Sequence, residues 1–569
     1  MLTRLTVRNF KLFEEVDLEL GPVVVFIGPN NAGKTTALQA LALWEIGVRR
    51  WLEKRGAGEG PLKRPGVTIN RRDLIALPVP TANLLWHGLH TRSSRREHNK
   101  TRTENVLTDV VVDGVDWTCG MEFDYANSES FYCRPLLGEN GKRVPVPPAA
   151  GNVRIAYLPP MSGLAANETR LDPGAIDVRL GEGRTAEVLR NLCYSIYTGE
   201  DGGAKWERLV ERIASLFGSR LEEPNYIAER GEITLTYRNR HNVRLDLSAS
   251  GRGEQQTLLL LAHMTANPGS VLLLDEPDAH LEILRQRQTY HVLTEVAEET
   301  QGQIIAASHS EVVLNEAAGR DVLIAFVGRP HRIDGRGSQL AKSLKEIGFE
   351  HHMQAEMLGW VLYLEGSTDL AILRAFAKHI DHPAQHVLAA PFVHYVANQP
   401  GKAREHFYGV LEGKRDLIGL AIYDRLHMVP EADAKLSHLC WRRTEIENYV
   451  CRREALIALA ESEGAQHRGA LFGIPWRQTM SDAIDEVESA LEVLGEPTPW
   501  GPDGKASAFL DLVFRRFYER SEAMALIRKS DYHRLVSFVD GADVDTEVTE
   551  KLDAIVDVAG RAQPRVQQM

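Results

Sequence analysis

Residues 23–35 constrain the fold of this chain more than any other stretch. Five apolar residues, VVVFI, open directly into Gly28-Pro-Asn-Asn-Ala-Gly33-Lys34-Thr35, and the helical pattern TALQALALWEI follows at once. A short unbroken apolar run predicts a strand covered on both faces, as in a parallel sheet flanked by helices, so the expected fold class is α/β. A glycine loop between such a strand and a helix turns backbone N–H groups toward a polyphosphate, and the helix N-terminus adds a favourable potential. Lys34 then bridges terminal phosphates and Thr35 ligates magnesium. Asn30, Gly33, Lys34, Thr35 and Thr36 are the expected nucleotide contacts, with ATP and Mg²⁺ as cofactors.

The segment VLLLDEPDAHL, residues 271–281, supplies the complementary half. Its apolar run reads as a central strand that delivers Asp275 and Glu276 to the carboxyl edge of the sheet. A carboxylate that positions the metal and one that activates water must both face the γ-phosphate. Asp275 takes the first role and Glu276 the second, so hydrolysis is expected.

Composition bounds the rest. The 569 residues carry 66 Lys and Arg against 78 Asp and Glu, a net charge of −12, and 43% are hydrophobic. That balance excludes disorder as the main state and excludes a globally basic nucleic-acid binder. No apolar run approaches the roughly 20 residues of a spanning helix. The opening MLTRLTVRNF lacks the apolar core of a secretory signal, so a cytoplasmic location is expected. Cys119, Cys133, Cys193, Cys440 and Cys451 form no CxxC pair and read as reduced, mostly buried small hydrophobes.

Alternation at residues 2–7 and 16–20 predicts paired strands, and residues 106–112 and 117–123 predict a meander. Arg92, Arg95, Arg96, Lys100 and Arg102 form the densest basic run, read as a solvated loop or helix face or as a DNA-backbone contact. Helical periodicity marks residues 179–216, and alternation returns at 233–238 and 242–247. Short buried strands at 271–274 and 303–307 continue the first domain, assigned to 1–340 with insertions around 50–105 and 165–240. A linker is expected over 341–355. A smaller α/β domain follows over 356–569, with strands at 361–364, 392–396 and 417–422 and a helical C-terminal extension.

That second domain gathers acids at strand ends. In WVLYLEGSTDLAIL, a strand ends at Glu365, Gly366 permits a tight turn, and Asp369 lies about one turn into a helix. LIGLAIYDRL places Asp424 after another strand. Three converging carboxylates suit a hard divalent cation.

Family resemblance enters on these motifs. SASGRGEQQ, residues 248–256, resembles the signature segment of ABC-type ATPases, and AASHS, residues 306–310, resembles their switch-histidine motif. VRNFKLFEEVDLEL before the glycine loop is similar to the start of the SMC, RecF and OLD branch. In that branch Ser250 and Gly251 cap the nucleotide of another protomer and His309 contacts its γ-phosphate, which implies a homodimer through the ATPase domains, with higher oligomers open. Arg252 is an insertion relative to LSGGQ. No long heptad run is present, unlike the large SMC-like proteins.

The EGSTD segment resembles a Toprim domain, and the ATPase-then-Toprim order resembles the OLD family of ATP-dependent nucleases, including Gabija-type antiphage effectors. The resemblance implies an ABC/SMC-like P-loop ATPase followed by a smaller Toprim domain, and metal-dependent DNA cleavage with Mg²⁺ or Mn²⁺. The partners it implies are DNA and a helicase or other defence-system subunit. Glu365, Asp369 and Asp424 match the Toprim acids. Leu426 stands where the second acid of DxD is usual, with Glu431 and Asp433 as nearby substitutes. TEIENYV offers Glu447 as a further metal ligand and Glu445 as another, and ALIRKSDYHRLV offers Lys529 as the catalytic lysine, ahead of Lys505. An ATPase sensor or scaffold with an inactive Toprim domain is the alternative, and a RecF-like repair ATPase is a third. Residues 351–569 hold 24 Lys and Arg against 33 Asp and Glu, so most of the negative excess belongs to the acid-bearing domain.

Overall fold

A computed structural model describes residues 1–56, 66–71, 74, 77, 79–97, 100–138, 142–158, 164, 167–181, 184–333, 348–426, 428, 434–468, 473–521 and 527–565. The chain forms two compact units, residues 1–345 with 567–569, and residues 346–566.

The first unit holds two six-stranded sheets. One is antiparallel, in the order Phe13–Glu19, Leu2–Phe10, Thr108–Gly114, Thr118–Asn127, Ser130–Pro135 and Val67–Asn70. The other runs Ile155–Leu158, Val271–Asp275, Gln303–Ser308, Val23–Ile27, Val322–Ala325 and His331–Arg332, parallel in every pairing but the last. All five residues of Val23–Ile27 and all six of Gln303–Ser308 are buried, as continuous apolar strands in a doubly covered sheet must be. Helix Lys34–Arg55 contributes residues to one apolar core shared with both sheets, including Trp44, Phe10, Phe26, Phe123 and Phe326. Gln303 joins the two sheets through its side chain. Its Oε1 accepts from Leu2 N at 2.8 Å, and its Nε2 donates to the carbonyls of Leu2 and Gly21, each at 2.7 Å.

The inserted region expected to be helical contains Pro173–Gly181, Leu189–Thr198 and Gly202–Phe217. The single strand expected at 233–238 is two, Glu232–Thr234 and Thr236–Arg238, which pair with different neighbours. The basic run is neither loop nor helix. Arg92–Glu97 and Lys100–Asn105 pair as an antiparallel hairpin, consistent with Thr101 and Thr103 alternating with charged residues in the second strand.

The second unit is built on a four-stranded, fully parallel sheet ordered Val393–Tyr395, Trp360–Leu364, Ile418–Tyr423 and Leu436–Cys440. The sequence pattern did not single out the last strand, which is half-buried and only five residues long. A largely helical core covers one face, drawing on Ser367–His379, Arg453–Arg468, Gly473–Leu494, Ala506–Ser521 and Thr546–Arg561. Helices Phe349–Leu358 and Pro400–Gly413 contribute to the apolar cluster on the other. Part of the expected 341–355 linker lies outside the described residues, and the rest belongs to helix Phe349–Leu358. Cys119, Cys133, Cys193 and Cys451 are buried free thiols, and Cys440 is half-buried. No described helix is long and apolar enough to cross a membrane.

Candidate functional site

In the first unit the glycine loop leads from Val23–Ile27 into Lys34–Arg55 with Gly33 at the helix N-cap. Gly33 has φ +101°, and a Cβ there would stand 2.7 Å from the Phe13 ring, so backbone conformation and space both require glycine. A cavity of about 280 Å³ is lined by Leu12, the loop residues Asn30, Asn31, Ala32, Gly33, Lys34, Thr35 and Thr36, and by Asp275, Glu276 and His309. The structure thus brings together residues widely separated in sequence. Ser250 and Gly251 do not line this cavity. Gly251 is the N-cap of helix Arg252–Ala266, and the Ser250 hydroxyl donates to Leu247 O at 2.9 Å.

Lys34 is buried and donates to the carbonyls of Gly28 at 2.7 Å and Pro29 at 2.9 Å. Burial lowers its pKa, partly offset by Asp275 and Glu276. A phosphate gives this ammonium a charged partner in place of two carbonyls, a gain for each bond formed. Thr35 Oγ1 donates to Asp275, 3.1 Å from Oδ2 and 3.3 Å from Oδ1, which puts the two expected metal ligands side by side. Burial raises the Asp275 pKa, while hydrogen bonds from Tyr157 and Thr35 favour the ionised form.

Glu276 adopts φ +51°, an uncommon conformation for a residue with a side chain. Its N–H donates to Ala307 O at 2.8 Å, and its carbonyl accepts from Gln256 Nε2 at 3.3 Å. Its carboxylate lies 2.9 Å from His309 Nε2, so the expected base and the expected γ-phosphate sensor touch directly.

Three contributors escaped the sequence. Tyr157 donates to Asp275 Oδ2 at 3.0 Å from the adjacent strand, and the one visible signal was a lone hydroxyl in the apolar run IAYL. Buried Asp278 accepts from Ser308 Oγ at 2.7 Å and so ties the loop after Glu276 to the end of the neighbouring strand. Lys11 borders a second cavity of about 770 Å³, with Arg8, Phe13, Asn31, Ala32 and Arg329 in its walls. The two cavities share Leu12, Asn31 and Ala32.

In the second unit Glu365 follows Trp360–Leu364, Asp369 lies in the first turn of Ser367–His379, and Asp424 follows Ile418–Tyr423. Asp369 Oδ2 accepts from Glu365 N at 3.0 Å, which folds the turn so that both acids stay near the sheet edge. Asp369 is buried, and burial, then Glu447 and Glu365, push its pKa up to about 7. Burial also raises the Asp424 pKa, reinforced by a hydrogen bond with Glu365 and by the charges of Glu365, Asp369 and Glu447. Glu447 sits in the short turn Ile446–Tyr449, and burial raises its pKa as well. Asp369 and Asp424 each feel Glu365 and Glu447, and Asp424 feels Asp369 as well, so the four form one cluster.

Lys529 Nζ stands 3.3 Å from Glu447 Oε1. Burial opposes its charge, but Glu447, then Glu445 and Glu365, leave its pKa raised. The structure therefore places Lys529 at the cluster, whereas Lys505 precedes helix Ala506–Ser521 and, among the described residues, forms no ion pair with these acids. Glu445 is corrected as a ligand. It caps its own turn with Asn448, and its two oxygens accept from the N–H and hydroxyl of Ser507, 3.0 Å for the hydroxyl. Leu426 packs against the apolar cluster around Phe407 and Tyr423. Glu431 and Asp433 lie outside the described residues.

Four carboxylates, Asp369 and Glu447 buried and Glu365 and Asp424 half-buried, face one ammonium among the described residues, an excess of negative charge that protonation or a cation offsets. All-oxygen donors fit Mg²⁺ or Mn²⁺.

The strand, loop, helix and strand-end acids of the first unit define a P-loop ATPase domain, and comparison with known proteins agrees. The family model described as "AAA ATPase domain" matches residues 1–44, and that described as "AAA domain, putative AbiEii toxin, Type IV TA system" matches residues 197–315. These spans contain Lys34 and Thr35, and Asp275, Glu276 and His309. Among curated proteins the chain is 56% identical over 43 residues to an OLD nuclease of Thermus scotoductus, a stretch that covers 8% of each protein. It is similar to the SMC head bound to the C-winged helix domain of ScpA, with 12% identity and TM-score 0.35 over 58% of this chain and 97% of that one. A Pyrococcus furiosus SMC head with an extended coiled coil, bound to the C-terminal domain of ScpA, gives 13% identity and TM-score 0.33 over 58% and 95%. The SMC head domain of Thermotoga maritima gives 16% and 0.28 over 58% and 98%. The chain thus carries an AAA-type ATPase domain with a short stretch like an OLD nuclease.

Proposed function

We propose that this chain is an ATP-binding and ATP-hydrolysing, divalent-metal-dependent DNA endonuclease of the OLD kind, serving bacterial antiphage defence. In this reading ATP binds against Asn30, Gly33, Lys34, Thr35 and Thr36, with Mg²⁺ on Thr35 and Asp275. Glu276 activates water, His309 holds Glu276 until a γ-phosphate competes for it, and Ser250 and Gly251 close the site of a second copy in a homodimer. The second unit is a Toprim nuclease domain. Glu365, Asp369, Asp424 and Glu447 hold Mg²⁺ or Mn²⁺, which supplies a Lewis acid for the phosphodiester, and Lys529 stabilises charge that develops on phosphorus.

The observation that carries the nuclease reading is the convergence of those four acids and Lys529 from four separate segments of the second unit. Plasmid DNA incubated with purified protein and Mg²⁺ or Mn²⁺ tests it. Cleavage is expected, and Asp424→Asn is expected to reduce it by roughly 10³-fold or more, as loss of a charge ligand at a catalytic metal does. Intact DNA under both metals, with protein that still binds ATP, overturns the nuclease reading.

A second reading rests on Leu426. Its packing against apolar residues removes one acid of the usual pair, which favours an ATP-driven sensor whose second unit binds nucleic acid or protein without cutting it. ATP binding that depends on Lys34, without metal-dependent turnover of DNA, is the outcome it requires.

A further inference from the structure

A second constellation of metal-ligating side chains lies in the same unit as the acid cluster and shares no residue with it. His351 comes from helix Phe349–Leu358, His394 from strand Val393–Tyr395 and His406 from helix Pro400–Gly413. One ring nitrogen of each lies within 4.8 Å of the others, with His406 buried and the other two half-buried. His406 Nε2 is 2.9 Å from His351 Nδ1. The rings of His394 and His406 stack at 3.8 Å and 7°, while His351 stands nearly perpendicular to both.

We propose that His351, His394 and His406 form a binding site for a borderline divalent transition ion, zinc above all, distinct from the oxygen-lined cation site. Metal–imidazole bonds of about 2.0–2.1 Å set tetrahedral ligand nitrogens roughly 3.3 Å apart, a spacing the cluster reaches within its 4.8 Å span once the stacked His394 and His406 rings tilt apart to converge on one ion. The remaining position is open to water or an exogenous ligand. Imidazole selects zinc, nickel or copper over magnesium, whereas the carboxylate cluster has the opposite preference.

A supporting contact orients the central ligand. Tyr363 Oη lies 2.9 Å from His406 Nδ1, which assigns that nitrogen to the hydrogen bond and leaves Nε2 facing the other two histidines. Metal-bound histidines depend on such a partner for tautomer and ring orientation. Burial and the neighbouring imidazoles hold His406 and His394 below the usual histidine range, so their lone pairs are available at neutral pH. Binding replaces the His351–His406 hydrogen bond. The ion takes the facing lone pair of each ring, and the proton shared between those nitrogens passes to an outer ring nitrogen or to solvent.

The test uses the full chain, stripped with chelator and titrated with Zn²⁺ or Co²⁺ in excess Mg²⁺. One ion per chain is expected, with the intense visible absorption of a low-coordinate cobalt–nitrogen site. His351→Asn and His394→Asn should each weaken zinc binding at least ~10-fold, and Asp424→Asn should leave it unchanged. Zinc should raise the melting temperature of the parent protein but not of His394→Asn. The histidine variants are first matched to the parent by circular dichroism in EDTA. The proposal is overturned if the parent takes up no zinc, if folded His351→Asn and His394→Asn both bind it as the parent does, or if Asp424→Asn abolishes uptake.

Discussion

The phosphate site of the first unit and the acid cluster of the second are both desolvated, and they handle charge in opposite ways. Around the glycine loop, Lys34 stands among the backbone N–H groups of a helix N-terminus and opposite Asp275 and Glu276, so fixed positive and negative groups already face each other. In the second unit Glu365, Asp369, Asp424 and Glu447 face, among the described residues, the single ammonium of Lys529, and burial pushes three of the four acids toward protonation. The first site already pairs its charges. In the proposed reading the second takes in positive charge before its acids ionise together. A site's resting protonation therefore tells what kind of ion it is built to receive.

The sharpest way to break this contrast is Glu276→Gln. ATP turnover should fall by roughly 10²–10⁴-fold while ATP binding persists, because the substitution removes the base but leaves the loop. Phosphate-release kinetics alongside calorimetric ATP titration would separate the two, and equal loss of both would place Glu276 in binding instead. Next comes the cation of the second site. Lys529→Ala is expected to lower DNA cleavage about 10²-fold, with Lys505→Ala within about twofold of the parent. The reverse ranking would transfer the role to Lys505.

A third test reads the imported charge directly. The folded Asp369 carboxyl titrates near 7, above its ordinary value of 3.8, so its native state holds the proton more tightly. In the metal-free protein the stability contributed by Asp369 should be full below about pH 4 and lost as pH rises toward 7, a drop in melting temperature on the order of 5 °C from this group. Mn²⁺ should cancel the drop, and so should Asp369→Asn. A flat pH profile in EDTA would mean that the acids do not share one desolvated site. The smallest effect belongs to Tyr157→Phe, which deletes one hydrogen bond to Asp275. ATPase activity should change about 3- to 10-fold, visible mainly in the Mg²⁺ concentration needed for half-maximal rate.

What the sequence disclosed follows from how each feature is encoded. The glycine loop is contiguous, and Asp275 and Glu276 end a strand whose four apolar residues are all buried, so local pattern was enough. Glu365 and Asp424 were legible for the same reason. Lys529 was not decidable from spacing, because only the folded chain sets its ammonium beside Glu447 rather than near Asp424 in sequence order. Glu445 stood behind Glu447 as a ligand in the sequence, and its side chain turns to cap Ser507. Tyr157 carries no motif, and its role depends on parallel pairing with Val271–Asp275. The histidine cluster was invisible because its three members sit on three elements with no periodic relation. The basic hairpin was missed because clustered charge masked the alternation of Thr101 and Thr103 in its second strand, and the first strand, RSSRRE, carries no period-two pattern.

The side chain of Gln303 has a mechanical consequence. It fastens Leu2 and Gly21 to the beginning of strand Gln303–Ser308, whose far end passes through Ser308 into His309. Six extended residues make a stiff strut of about 20 Å. The antiparallel sheet is thereby tied, through a single strand, to the histidine beside Glu276. One glutamine is the rivet between that sheet and the rod that ends at this histidine.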